Sequence, residues 1–165
     1  MTTPTSPSLI PTLSPEETAA ITAEIEHVPD PASATIEALR IVQRHRGWVS
    51  DQSVAAIARL LGTSSAAVDS VATFYNLIFR QPVGRHVVMV CDSVSCYVMG
   101  CDALKSALEQ KLGISPGETT ADGRFTLLPI VCLGACDHAP AMMIDEDLLL
   151  DVVPKMLDPI LGRYP

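Results

Sequence analysis

The chain has 165 residues, 48% hydrophobic but only 4% aromatic, with a formal charge of −8. That length allows one ordinary domain or two small ones, with a core filled by aliphatic side chains, and the acidity argues against a non-specific nucleic-acid binder or a polybasic membrane-surface protein, both of which need Lys and Arg. No segment approaches the roughly 18 apolar residues of a bilayer span, and no Lys or Arg precedes Arg40, so neither direct membrane insertion nor a secretory or transit signal is expected.

Residues 1–13 place Pro4, Pro7 and Pro11 among Ser and Thr and read as a flexible tail on which only Leu9 and Ile10 offer a docking handle. Ser14-Pro15-Glu16-Glu17 reads as a helix start: a capping hydroxyl, a proline suited to the first turn and two acids that favour the helix dipole. That helix should end before Pro29 and Pro31. A second is expected over about 33–46, with Ile36, Leu39, Ile41 and Val42 mostly on one face and Gly47 ending it. Trp48 reads as a core anchor. Ser50 or Asp51 should cap a third helix carrying Val54, Ile57, Ala58 and Leu61 and stopped by Gly62. Residues 63–65 should cap a fourth, carrying Val68, Val71 and Phe74. Phe74 and Phe79 read as core residues, and Tyr75 is left open to a partner contact. Residues 14–82 thus read as a small helical bundle.

The pattern changes after Pro82-Val83-Gly84. Residues 86–90 read as a buried strand ending at Cys91, 102–112 as a helix closed by Gly113, 125–131 as a strand running into Cys132 despite Pro129, 141–144 as a short strand, 145–147 as a turn and 153–161 as a last helix. Strands alternating with helices from residue 83 to 165 make the whole chain α+β, a helical bundle followed by a small α/β domain.

Four cysteines form two pairs. Four residues separate Cys91 from Cys96, and three separate Cys132 from Cys136, each pair being expected on a loop just after a strand. In a chain that stays where it is made, these thiols are reduced and disulfides are the weaker expectation. Four thiolates suit an iron–sulfur cluster or a Zn²⁺ ion. The four-residue gap favours the longer body of a [2Fe–2S] rhomb, while a structural zinc site and ordinary buried thiols remain open. Ser93, Ser95, Gly134 and Ala135 are small enough to let backbone N–H groups approach the sulfurs. Cys101 reads as a partly buried free thiol. His27, His45, His86 and His138 read as surface or satisfied histidines, with His138 a remote substitute ligand in a Rieske-like centre. Asp145, Glu146 and Asp147 read as a solvated turn rather than a cation site. Neither a G-x-G-x-x-G fingerprint nor a P-loop is present, so no NADH site is expected on this chain.

Four stretches then carry a resemblance: Cys91-Asp92-Ser93-Val94-Ser95-Cys96, Asp122-Gly123-Arg124-Phe125-Thr126-Leu127-Leu128-Pro129, Cys132-Leu133-Gly134-Ala135-Cys136-Asp137 and Pro140-Ala141-Met142-Met143-Ile144-Asp145-Glu146-Asp147. Together with Gly47-Trp48-Val49, Val71-Ala72-Thr73-Phe74-Tyr75 and the run from Phe79 to His86, they resemble the E-subunit family of bacterial NADH:quinone oxidoreductase, or complex I, over residues 14–165. The resemblance implies a helical domain followed by a thioredoxin-like domain holding one [2Fe–2S] cluster on Cys91, Cys96, Cys132 and Cys136. It implies a flavin subunit as partner, carrying FMN and NADH, with a large iron–sulfur subunit nearby. It places the chain on the cytoplasmic face, in the peripheral arm of a membrane-bound complex, its cluster beside the flavin but off the main path to quinone. Cys101 lies outside the family's ligand pattern. Three rival readings stand beside it: the equivalent subunit of an NAD-linked hydrogenase or formate dehydrogenase, a stand-alone ferredoxin, and a zinc-stabilised adaptor.

Overall fold

Ser14, Pro15 and Glu17 begin the first helix as a reciprocal cap: Ser14 Oγ accepts the Glu17 N–H at 3.0 Å, and the Ser14 N–H donates to Glu17 Oε2 at 2.7 Å. The computed structural model describes residues 13–165, so the expected tail, with Leu9 and Ile10, lies outside the described residues apart from Leu13. The chain divides into two units, one ending at Pro82 and the other beginning at Val83.

In the first unit, α1 (Pro15–Ile25) is followed by α2 (Thr35–Arg46), α3 (Asp51–Leu61) and α4 (Ser65–Phe74). The second helix starts later than the spacing predicts. Asp30 and Pro31 set up a separate 3₁₀ turn over Pro31–Ala34, with Asp30 Oδ1 accepting the Ala32 N–H at 3.2 Å. Ser50 and Ser64 cap α3 and α4 through the N–H groups of Ser53 and Ala67, both at 3.1 Å. Ile21, Leu39, Val42, Ile57, Leu61 and Val68 form the core. Two expectations need correction. Phe74 is 79% exposed, because the inward stripe of α4 is Val68 and Ala72, and a residue two places beyond Ala72 points about 200° round the helix. Trp48 is half-buried, and its neighbour Val49 is the fully buried anchor. Arg80 ties the segment after α4 to the start of α3 through the Val49 carbonyl and Asp51 at 2.6 Å, and back onto α4 through Asp69 at 3.0 Å. Glu17, fully buried, receives both Arg46 Nε, at 2.6 Å, and Arg46 Nη2.

In the second unit, β1 (His86–Cys91) leads through α5 (Val94–Val98) and α6 (Cys101–Leu112) to β2 (Phe125–Ile130), followed by β3 (Met142–Ile144), β4 (Asp147–Leu149) and α7 (Leu157–Leu161). The sheet order is β2-β1-β3-β4. β1 and β2 run parallel, in register from His86–Phe125 to Cys91–Ile130, and β3 and β4 are antiparallel additions. Pro129 is tolerated because β2 is the edge strand. Leu104 and Leu108 of α6 join Leu157, Ile160 and Leu161 of α7 over Val88, Val90, Leu127 and Ile144. Cys91 is the last strand residue rather than a loop residue, and Cys96 sits in α5, a helix the sequence reading does not anticipate. The expected turn at 145–147 is shorter, because Asp147 begins β4. The last helix is split into a 3₁₀ turn, Pro154–Met156, and α7. Among the described residues, no single helix is long and apolar enough to cross a membrane.

Candidate metal centre

Two adjacent parallel strands end side by side, and their carboxyl ends face the same way. Cys91 closes β1 opposite Ile130, the last residue of β2, and Cys132 follows Ile130 by two residues. The register therefore places the two cysteine pairs at one end of the sheet. Cys91 and Cys96 are each 2% exposed, whereas Cys132 and Cys136 are exposed. Within the second pair the Sγ atoms are 4.0 Å apart. Within the first, the two thiols lie near enough for each to bear on the other's ionisation.

The pairs meet through the backbone. Cys91 Sγ lies 3.9 Å from the Val131 carbonyl, and the backbone N–H groups of Ser93 and Leu133 favour its thiolate. Burial pushes the Cys91 thiol up, but those two N–H groups and the Cys96 thiol prevail, and the net shift is downward. Burial drives Cys96 the other way; the Ala141 N–H opposes the rise and Cys91 reinforces it. The Gly134 N–H donates to Cys132 Sγ at 3.4 Å, from a loop that Gly134 turns at φ +78°. Leu133 and Ala141 are the donors the sequence reading misses. A backbone N–H is available from any non-proline residue, so residue type carries no signal for it.

The donor set fits an iron–sulfur cluster. Two cysteine pairs at neighbouring strand ends suit a body with two metal atoms, two cysteines to each. Among the described residues, no three His, Cys, Asp or Glu side chains converge on one point. Cys101 is fully buried in the first turn of α6, and burial raises its thiol. His138 does not act as a substitute ligand: its Nδ1 lies 2.9 Å from Asp151 and its Nε2 3.7 Å from Asp137. The hydrogen bond to Asp151, helped by both carboxylate charges, raises its pKa. Asp145 accepts the Val87 N–H at 2.9 Å and contacts His86 Nδ1 at 2.7 Å, and Asp147 accepts the Tyr164 hydroxyl at 2.7 Å. Those acids are therefore structural. Exposed apolar side chains flank the cysteines on both sides: Val94, Tyr97, Val98 and Met99 around α5, and Val131 after β2.

Comparison with known proteins points the same way. A family model described as thioredoxin-like [2Fe-2S] ferredoxin matches residues 21–165. The E subunit of NADH-quinone oxidoreductase from Escherichia coli (strain K12) is 55% identical over 152 residues, 92% of each chain. Its counterpart in Pseudomonas aeruginosa is 52% identical over the same shares of both chains. A crystal structure of NAD+-reducing [NiFe]-hydrogenase in the H2-reduced state matches with a TM-score of 0.69 at 25% identity, covering 81% of this chain and 22% of that one.

Proposed function

Because this chain belongs to the E-subunit family of NADH-quinone oxidoreductase, within the thioredoxin-like [2Fe-2S] ferredoxins, we propose that it is the [2Fe–2S] electron-transfer subunit of such an enzyme. In this reading Cys91, Cys96, Cys132 and Cys136 hold one cluster, residues 83–165 form the cluster domain and residues 14–82 the helical domain. The observation that carries it is the placement of two cysteine pairs at neighbouring parallel strand ends, with the Gly134 N–H donating to the Cys132 sulfur.

When bound, such a cluster supplies a one-electron acceptor for the FMN of a partner flavoprotein, which NADH reduces. The residues of this chain do the rest. Cys91 and Cys96 anchor one edge of the site away from water. The N–H groups of Ser93, Leu133, Gly134 and Ala141 offset the negative charge of the thiolates, the means by which a protein adjusts a cluster's potential. Cys132 and Cys136 leave the other edge at the surface, where a redox partner must approach. Val94, Val98 and Val131, each more than 70% exposed, supply an apolar contact beside that edge, and Asp92 and Asp137 supply acidic neighbours. These features support docking of the flavin subunit there, with the large iron–sulfur subunit close by, in the peripheral arm of the complex on the cytoplasmic face.

Affinity capture of the full chain from its own cells tests the assignment. The expected product contains flavin and oxidises NADH with a quinone acceptor. The likeness to the NAD+-reducing hydrogenase supports a second reading, a diaphorase subunit, favoured less because identity is far lower than in the relatives from NADH-quinone oxidoreductase. Capture of a hydrogen-oxidising complex would establish that reading instead, and recovery without a flavoprotein would contradict both.

A further inference from the structure

Of the five cysteines, Cys132 and Cys136 are exposed while Cys91, Cys96 and Cys101 are buried. The exposed pair is also close, with Sγ atoms 4.0 Å apart on a loop that Gly134 turns back on itself. A disulfide needs a separation of about 2 Å, within reach of side-chain rotation from this starting point. The buried pair is adjacent too, but a dissolved oxidant cannot reach it. From this asymmetry we propose that, before a cluster is in place, Cys132 and Cys136 form a reversible disulfide with each other on meeting a low-molecular-weight disulfide such as glutathione disulfide, and that this bond closes the chain to cluster loading.

The chemistry balances by ordinary exchange. One cysteine thiolate attacks a sulfur of glutathione disulfide, forming a mixed disulfide and releasing one glutathione thiol. The neighbouring thiolate then attacks the protein sulfur of the mixed disulfide, forming the Cys132–Cys136 bond and releasing the second. Two cysteine thiols are oxidised, one glutathione disulfide is reduced to two thiols, and the protons leave on those thiols. Closure over so short a span outruns a second intermolecular attack, because the partner thiol is held at high effective concentration. The disulfide rests on geometry alone, whereas its effect on loading rests on the ligand assignment proposed above.

The test uses the full chain, stripped of metal, reduced, freed of reductant under anaerobic conditions and then treated with glutathione disulfide. Thiols counted in denaturant should fall from five to three, and the peptide containing residues 132–136 should resist alkylation and be two hydrogens lighter. Given ferrous iron and sulfide, the treated chain should take up at least tenfold less iron than the reduced one, and dithiothreitol should restore uptake. The Cys136→Ser chain should instead retain glutathione on Cys132. Five remaining thiols, stable glutathione on both exposed cysteines of the unaltered chain, a Cys91–Cys96 bond, or normal iron uptake by the oxidised chain would overturn the proposal. A reduced chain that takes up no iron would defeat the ligand assignment and the loading step with it, while the thiol count would still decide the disulfide.

Discussion

Cys96 and Cys101 are both buried and five residues apart, yet their roles separate. Cys96 bears on the ionisation of the Cys91 thiol, whereas Cys101 points its thiol toward Asp102, at 4.0 Å. Cys101→Ala should therefore keep the full iron content and cost about 1 kcal/mol for the small cavity. Cys132→Ser should lose the reduced-state paramagnetic signal, since a hydroxyl is a poor ligand to iron. Iron content and spectra of the two variants, side by side, check this, and iron loss on Cys101→Ala would make Cys101 a ligand. The Glu17–Arg46 pair is the second residue-scale test. The Arg46 hydrogen bonds hold the Glu17 carboxyl below its usual value of 4.5 against the pull of burial, with help from the Ser14 N–H. A depressed folded-state pKa contributes stability that is complete above the unfolded value and is lost as pH falls through the folded one. Acid should therefore destabilise the helical unit below about pH 4.5, and Arg46→Ala should cost about 3 kcal/mol at neutral pH by leaving a buried carboxylate without its main partner. Chemical denaturation followed across pH measures both. The two cysteine pairs stood out in the sequence because thiols are rare and these are closely spaced; the backbone N–H groups beside them did not, since any non-proline residue supplies one.

At the scale of elements, the loop between β2 and β3 does the most for the site. Gly134 holds φ +78° with nothing within 4 Å of where a Cβ would stand. Gly134→Ala thus meets backbone strain rather than a clash, about 1 kcal/mol. The Cys132 contact with the Gly134 N–H should loosen as a result. Faster iron loss to a chelator is the expected outcome, and an unchanged rate would show that the loop does not position the sulfur. The cap at Ser14 was readable, and those of α3 and α4 were narrowed to Ser50 or Asp51 and to residues 63–65, because capping depends on residue type at one position. By contrast, α5 and β4 escaped, since five helical residues and three strand residues carry too little periodicity to stand out. Phe74 misled for a related reason: its hydrophobicity suggested burial, while the phase of α4 turned it outward.

Across the whole molecule, two units share one chain, and all four candidate ligands fall in the second. The change of pattern at Pro82-Val83-Gly84 marked that division in the sequence, because helical spacing gives way there to β-branched runs. The exposed apolar rim could not be foreseen, since exposure of Val94, Val98 and Val131 depends on how α5 and the second loop lie over the strand ends. Val98→Glu should therefore reduce recovery of the flavin partner in affinity capture while leaving the iron content of the chain unchanged; equal recovery would move the docking face elsewhere.

Electron paramagnetic resonance of the anaerobically purified full chain, before and after dithionite, with iron and zinc counted on the same sample, decides whether the cluster is there. Two irons per chain, as the [2Fe-2S] family requires, and an axial or rhombic signal that appears only on reduction are the expected result. A colourless, silent protein carrying one zinc would contradict it.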